Sequence, residues 1–220
     1  MQLYLIRHAE SENNARPEPE RVEDPPLTLR GHQQAGYLAT WLQELPLDVL
    51  ITSPFRRTLE TSRYVSDTRR QAVEVWSEVF ECKGCYRGWG DNTSGGIGFN
   101  RQQILRILPG ASVCPTIGDS GWWNERSPET EAEAARRAAI VVDRLLTQFG
   151  PTKANVALII HADFKRLLLG QMLGSAANAE FFGAMRNVGV SLVTWQAGRW
   201  QLEWLNSVSH LPARLLTSDA

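Results

Sequence analysis

Two short apolar runs, each followed at once by a histidine, constrain the fold of this chain more than any other feature of its sequence. Residues 2–6 (QLYLI) lead into Arg7-His8, and residues 156–160 (VALII) lead into His161. Strands covered by helices on both faces are nearly continuous apolar runs, whereas strands with one face in water alternate with polar residues. These two runs therefore predict buried strands of an α/β protein.

The remaining sequence alternates between helical and strand patterns. Apolar residues at helical spacing predict helices that begin at Thr28, at Ser53-Pro54 and at Ser127-Pro128, with others near 101–108 and over 163–173. Strand patterns cover 47–52, 72–76 at an edge of the sheet, and 188–195 and 199–205, which are joined by a turn at Ala197-Gly198. This alternation predicts a three-layer α/β/α sandwich with a mostly parallel sheet.

The length of 220 residues suits one domain. The pattern loosens between about residues 78 and 126, where glycine is frequent and only one helical run stands out. We expect a single domain over residues 1–220, with an insertion at about 78–126. That insertion should consist of helix and loop and lie over the carboxyl ends of the strands.

Charge and cysteine content argue against several classes of function. A formal net charge of −1 gives no general attraction to nucleic acid or to a membrane surface. The three cysteines, an odd number in a chain of this length, favour a reducing compartment. The first apolar run is short and charged residues follow it, unlike a signal peptide or an anchor. We expect a soluble, cytoplasmic protein that binds neither nucleic acid nor membranes.

Polar side chains that could bind an anion follow the predicted strands. In open α/β sheets, ligands bind beyond the carboxyl ends of the strands, where His8 and His161 should both lie. Arg7 adjoins His8, Arg57 lies one turn into the helix after the second strand, and Asn14 is a neutral donor within reach. Two arginines and two histidines at one edge predict a pocket for phosphate. Because helix N-termini attract anions, the helix that Ser53 is expected to cap would strengthen it.

Four blocks of sequence carry a resemblance to a known family. In chain order they are Arg7-His8-Ala9-Glu10-Ser11 with Asn14, then Asp24-Pro25-Pro26-Leu27-Thr28 with Gly31 and Gln34-Ala35, then Ser53-Pro54-Phe55-Arg56-Arg57 with Thr61, and last His161. Together they resemble the signature of the histidine phosphatase superfamily, which has the phosphoglycerate mutase-like fold. The blocks occur in family order and span most of the chain.

The resemblance implies a ping-pong reaction in which His8 attacks phosphorus and water then cleaves the phosphohistidine. Splitting one displacement into two steps in this way is covalent catalysis. It also implies that Arg7, Arg57 and His161 hold the phosphoryl oxygens, as cationic groups do in phosphoryl transfer, without a metal ion or a cofactor. Ser11 and Asn14 would bind the substrate. The expected function is thus a metal-independent phosphomonoesterase acting on a small phosphorylated metabolite.

A general acid must protonate the leaving oxygen, and two glutamates are candidates. Members of the family commonly place a glutamate after the third strand, where Glu78 and Glu81 both lie. Glu81 is favoured, because Glu81-Cys82-Lys83-Gly84 resembles an acid-plus-glycine turn of some phosphatases in the family. The alternative is that either carboxylate is a solvated loop residue.

The sequence departs from the family pattern in two places. Ala9 and Ala162 follow the two catalytic histidines, where the family usually has glycine, and a methyl group narrows the approach of phosphate to the backbone. The region of Glu81 also lacks the Asn-Glu-Arg-like run that is associated with the true phosphoglycerate mutases. This difference favours a phosphatase, with a phosphoglycerate or phosphosugar mutase and a weakly active phosphate-binding scaffold as the alternatives.

Two further motifs have competing interpretations. The CxxC motif of Cys82 and Cys85 could be a redox or metal site, but it lies in a loose region without further ligands, so we interpret both thiols as packing residues. Trp122 and Trp123, with Trp89 nearby, could line a pocket or cover a homodimer interface, although packing inside the chain is the favoured interpretation.

Overall fold

The computed structural model describes residues 1–88, 93–174 and 179–217. The strands are β1 (Gln2–Arg7), β2 (Val49–Thr52), β3 (Val73–Val75), β4 (Tyr86–Arg87), β5 (Ser94–Gly95), β6 (Ser112–Val113), β7 (Asn155–Ile160), β8 (Val190–Gln196) and β9 (Arg199–Ser207). The α-helices are α1 (Glu12–Ala15), α2 (Leu29–Gln43), α3 (Arg56–Arg69), α4 (Arg101–Ile107), α5 (Glu131–Phe149) and α6 (Ala162–Leu173). Within these residues no helix is both long and apolar enough to cross a membrane.

The central sheet has the strand order β6-β3-β2-β7-β1-β8-β9 in the described part of the chain. The first five strands in that order run parallel to one another. Strand β8 is antiparallel to β1, and β9 is antiparallel to β8. This confirms the predicted mostly parallel sheet. Because β1 and β7 are parallel neighbours in register, with Arg7 opposite Ile160, the residues that follow them lie side by side at one edge.

Helices cover both faces of the sheet, as predicted for a three-layer sandwich. Successive side chains of a strand point to opposite faces, and in β1 both faces are apolar. Tyr4 and Ile6 belong to the core cluster that includes residues of α2 and α3, whereas Leu3 and Leu5 belong to the cluster with α5 and α6. Burying each such side chain contributes about 1.5–3 kcal/mol, which explains why these strands carry no polar residue in their centres.

Two helix starts were predicted wrongly. Helix α3 begins at Arg56 with Phe55 as N-cap, and not at Ser53-Pro54. The Ser53 hydroxyl bonds instead to Nε2 of His161, at the end of β7. Helix α5 begins at Glu131, not at Ser127-Pro128. Its N-cap is Thr130, whose side chain accepts a hydrogen bond from the backbone of Glu133 in a capping box.

The predicted edge position of 72–76 was also wrong. Strand β6 pairs in parallel with β3 through Glu74 and Ser112, so β3 is an inner strand. Strand β6 has only two residues, too few to show an alternation of polar and apolar side chains, so no sequence pattern predicts it. Segment 78–126 thus adds a strand to the sheet, while its first residues approach the carboxyl edge. The division of the chain into one domain with an insertion stays a prediction.

Candidate active site

A cavity of about 350 Å³ opens at the carboxyl edge of the parallel strands. Six of the predicted site residues line it, namely Arg7, His8, Ser11, Asn14, Arg57 and Glu81. The seventh, His161, is fully buried beside it, with its ring centroid 5.2 Å from that of His8. The structure therefore brings all seven residues together, and their catalytic roles stay predictions until they are tested.

His8 follows β1 and presents one particular ring nitrogen to the site. Its Nδ1 lies 2.7 Å from the carbonyl oxygen of Ala9, which can only accept, so Nδ1 must carry the proton. Its Nε2 lies 3.1 Å from Nε of Arg57, which can only donate. In the neutral ring Nε2 therefore keeps its lone pair. This tautomer is the one that a nucleophile needs.

The surroundings also keep the His8 ring neutral. Burial lowers the pKa of His8 well below its ordinary value, and the charges of Arg57 and Arg7 lower it further. The hydrogen bond to Ala9 opposes this shift only in part. Burial and neighbouring cations both penalise a charged imidazolium. Nε2 therefore stays unprotonated near neutral pH, with its lone pair accepting from Nε of Arg57.

His161 is the N-cap residue of α6 at the end of β7, and its contact with Ser53 is compatible with the same tautomer. Its Nε2 lies 2.8 Å from Oγ of Ser53, and that oxygen accepts from the backbone N–H of Phe55 at 3.4 Å. Ser53 can then donate to Nε2, which places the ring proton on Nδ1. This Nδ1 is buried without a protein partner among the described residues. A buried ring nitrogen without a partner beside the cavity is a candidate contact for a bound anion.

Arg7 holds a second buried donor that lacks a partner. One terminal nitrogen of its guanidinium donates to the carbonyl oxygen of Met185, while Nε is buried and has no partner among the described residues. Burial lowers the pKa of Arg7 to about 10, and the carboxyl group of Glu81 partly offsets this. The side chain therefore remains charged and can offer Nε to an anion.

Arg57 lies in the first turn of α3 and is fixed by packing. Its guanidinium stacks at 4.1 Å over the ring of Phe55, which also contacts the ring of His161 at 4.9 Å. Burial lowers its pKa, and Asp24 and then Glu81 oppose that shift. Phe55 thus supports two of the groups that would hold phosphate, and Trp122 packs behind it at 4.8 Å.

Glu81 stands at the N-terminus of α6, where the backbone N–H groups of Cys82 and Phe164 donate to its Oε1 at 2.9 and 3.0 Å. Burial raises its pKa, as does the nearby charge of Asp163, while Arg57 lowers it. A carboxyl group with a raised pKa can carry a proton to a leaving oxygen. Glu78 does not line the cavity, and its carboxylate pairs with Arg144 at 3.0 Å.

The other motif residues hold the loop that follows β1. Backbone N–H groups of Ala9 and Glu10 donate to Thr61 Oγ1 at 3.1 Å and Gln34 Oε1 at 2.8 Å. A Cβ on Gly31 would lie 2.0 Å from the carbonyl oxygen of Glu10, so only glycine fits there. These contacts give the sequence blocks a structural reason. They fix the backbone on which His8 sits.

Asn14 and Ser11 form one hydrogen-bonded pair at the cavity wall. Oδ1 of Asn14 accepts from both the backbone N–H and the hydroxyl of Ser11, each at 3.0 Å. With its oxygen engaged, the amide nitrogen of Asn14 is the group that could donate to a substrate. Ala162 also lines the cavity, whereas Ala9 is fully buried.

Asp24 is a charged residue near the site whose importance the sequence analysis missed. Its Oδ1 accepts from the backbone N–H of Arg56 at 2.8 Å, and its Oδ2 is buried without a partner among the described residues. Burial raises its pKa to about 7, against the attraction of Arg57. It lies in the second sequence block, but only the folded structure brings it close to Arg57.

The cysteines of the CxxC motif and two tryptophans of segment 78–126 pack against the hydrophobic core, namely Cys82, Cys85, Trp122 and Trp123. Burial raises the pKa of Cys82, and raises that of Cys85 to about 12, so neither thiol is reactive near neutral pH. No group of three or more metal-ligating side chains forms among residues 1–88, 93–174 and 179–217. Trp122 and Trp123 are buried against Phe80, and Trp89 lies outside the described residues.

Comparison with known proteins identifies the family. The sequence family described as the histidine phosphatase superfamily, branch 1, matches residues 3–93 and 114–208. The chain belongs to this superfamily. A relative named probable phosphoglycerate mutase, from Erwinia tasmaniensis, is 28% identical over 220 residues and covers 96% of this chain and 95% of its own.

Solved structures of several phosphatases share the fold. A phosphoserine phosphatase variant from Entamoeba histolytica in complex with phosphoserine has a TM-score of 0.67 and 21% identity, covering 96% of this chain and 99% of its own. A mycobacterial glucosyl-3-phosphoglycerate phosphatase has a TM-score of 0.64 and 21% identity, covering 94% and 98%. At such identity these structures establish the fold and not the substrate.

Proposed function

We propose that this member of the superfamily is a metal-independent phosphomonoesterase that works through a phosphohistidine on His8. The observation that carries the proposal is the neutral tautomer of His8, whose Nδ1 is bound to the Ala9 carbonyl and whose unprotonated Nε2 lies beside Arg57 in a residue that lines the cavity. Its neighbours provide the donors and the proton that the two chemical steps require.

In the first step, the lone pair on Nε2 of His8 forms a bond to phosphorus as the bond from phosphorus to the ester oxygen breaks. Glu81 gives its proton to the leaving oxygen. Nε of Arg7, the guanidinium of Arg57 and Nδ1 of His161 hold the other phosphoryl oxygens, where charge changes in the transition state.

In the second step, the Glu81 carboxylate takes a proton from water, and the oxygen of that water forms a bond to phosphorus. The bond between phosphorus and Nε2 of His8 breaks, and its electron pair returns to the ring. Inorganic phosphate leaves and Glu81 is protonated again. One residue thus serves as acid and then as base, which its raised pKa favours.

The charges around the cavity favour hydrolysis over mutase activity. A mutase must retain a doubly phosphorylated intermediate, which requires cations beyond the catalytic phosphate. Apart from the predicted site residues, the described lining contains equal numbers of acidic and basic side chains, namely Glu18, Glu23, Asp163, Arg21, Lys83 and Arg166. A balanced lining suits a small phosphorylated metabolite with little further charge. A mutase is the second candidate, because the sequence relatives carry that name.

The test is phosphate release from a panel of phosphomonoesters in the presence of EDTA, with the wild type and His8→Ala. Release that survives EDTA and is lost in the variant supports the proposal. Loss of activity with EDTA would contradict it, and an isomerised ester in place of free phosphate would identify a mutase. Release by His8→Ala at the wild-type rate would exclude His8 as nucleophile.

We also propose a cytoplasmic location, which the three free thiols support. Homodimer formation remains a prediction.

A further inference from the structure

The segment of residues 185–189, between α6 and β8, contacts both members of the Arg7-His8 pair. The backbone N–H of Arg7 donates to the carbonyl oxygen of Gly189 at 3.3 Å, and the Arg7 side chain donates to the carbonyl oxygen of Met185. The backbone N–H of Val188 donates to the carbonyl oxygen of His8 at 3.3 Å. None of these contacts involves the reacting atoms, yet together they hold the residue that carries the nucleophile.

Asn187 makes the side-chain contacts of this segment. It is only 3% exposed, and its Nδ2 donates to the carbonyl oxygen of His8 at 3.2 Å and to Oδ1 of Asn14 at 3.3 Å. Its Oδ1 accepts from the hydroxyl of Thr217 at 3.0 Å. One amide thus connects the nucleophile's backbone, the cavity wall and the last described residue of the chain.

The backbone at Val188 is strained in a way that serves this arrangement. Val188 is fully buried and has a φ of 50°, in the left-handed region that a β-branched residue rarely adopts. Strained residues persist only where the surrounding structure holds them, and they cluster at functional sites. Here the strained conformation aims the N–H of Val188 and the side chain of Asn187 at the same carbonyl oxygen.

We propose that Asn187 is a positioning residue that holds His8 in line for attack on phosphorus, with Thr217 holding Asn187 in turn. The role rests on the proposed function of His8. Because Asn187 does not line the cavity, it should affect the rate of the chemical step and not the binding of phosphate. A displaced nucleophile can cost about 100-fold in rate even when the displacement is about 1 Å.

The test compares Asn187→Ala with Asn155→Ala, which removes an amide at the opposite end of the sheet, where Asn155 donates to Asp48. We expect kcat to fall about 10- to 100-fold in Asn187→Ala, with the inhibition constant of inorganic phosphate unchanged within about threefold. Asn155→Ala should keep both values. Wild-type kcat in Asn187→Ala, or a parallel loss of phosphate binding, would overturn the proposal.

Thr217 supplies a second variant that leaves the buried amide in place. Thr217→Val should lower kcat by about two- to fivefold, and Thr217→Ser, which keeps the hydroxyl group, should have the wild-type kcat. The double variant Asn187→Ala/Thr217→Val should be no slower than Asn187→Ala, because the effects of coupled residues are not additive. If Asn187→Ala does not fold, an unchanged kcat in Thr217→Val overturns the proposal. His8→Ala separates the two hypotheses, since its activity tests the nucleophile and not Asn187.

Discussion

Asp24→Asn should stabilise the protein, and the gain should grow with pH. The carboxyl group is held beside the N-terminus of α3, where its Oδ1 accepts from the Arg56 backbone and its Oδ2 has no partner among the described residues. Asparagine keeps an oxygen for the Arg56 contact and removes the charge. The change therefore removes the cost of ionising a buried carboxyl group and leaves the backbone contact intact.

The size of the effect follows from the pKa of Asp24, which burial raises from 3.8 to about 7. A group whose pKa is raised on folding costs no stability below its unfolded pKa and loses stability as the pH rises towards its folded pKa. The full cost above pH 7 is up to about 4 kcal/mol, since one pKa unit corresponds to about 1.4 kcal/mol. Between pH 5 and pH 8 the cost should change by about 2.5 kcal/mol.

The assay is denaturant unfolding of the wild type and Asp24→Asn at pH 5 and pH 8. The stability difference between the two proteins should be about 2.5 kcal/mol larger at pH 8, whatever constant offset the new amide introduces. Asp67→Asn, on the exposed surface of α3, is the matched control and should show no such change. A difference between Asp24→Asn and wild type that is independent of pH would refute the reasoning.

Three further substitutions test individual groups of the site. Glu81→Gln should lower kcat/KM, which reports the first step alone, by about 10²- to 10⁴-fold for alkyl phosphates and far less for p-nitrophenyl phosphate, because nitrophenolate leaves without a proton; an equal fall in kcat/KM for both substrates would exclude Glu81 as the acid. Arg57→Lys keeps the charge but loses the planar set of guanidinium donors proposed to hold phosphate, so the inhibition constant of phosphate should rise about tenfold or more, and an unchanged constant would contradict this. Ser53→Ala should lower the free energy of unfolding by about 1–3 kcal/mol and also lower kcat, because His161 loses its buried partner; wild-type stability would contradict this.

Most of the sheet and the meeting of the two histidines could be predicted from the sequence. The runs before His8 and His161 are apolar on both faces, and parallel neighbours in register leave their following residues at one edge. Arg57 was placed correctly near that edge even though α3 begins later than predicted. Periodicity determines which strands are buried, and an error of a few residues in a helix start does not move the helix to another edge.

The contacts that complete the site could not be predicted in this way. Ser53 has the residue type and position of an N-cap, but a histidine more than a hundred residues away in the sequence takes its hydroxyl group. Asp24 and Asn187 lie in loops, and their partners come from other elements of the fold. Local pattern carries no information about such long-range pairs. These residues became visible only when the distances between elements were known.

Trapping the phosphorylated enzyme tests the central claim most directly. The protein is incubated with a radiolabelled phosphomonoester and quenched, and the labelled peptide is mapped for the wild type, His8→Ala and His32→Ala, which alters a histidine bonded to Tyr64 away from the cavity. We expect label on the peptide that contains His8, stable in alkali and lost in acid, in the wild type and in His32→Ala only. Hydrolysis without any labelled protein, or label that persists in His8→Ala, would contradict it.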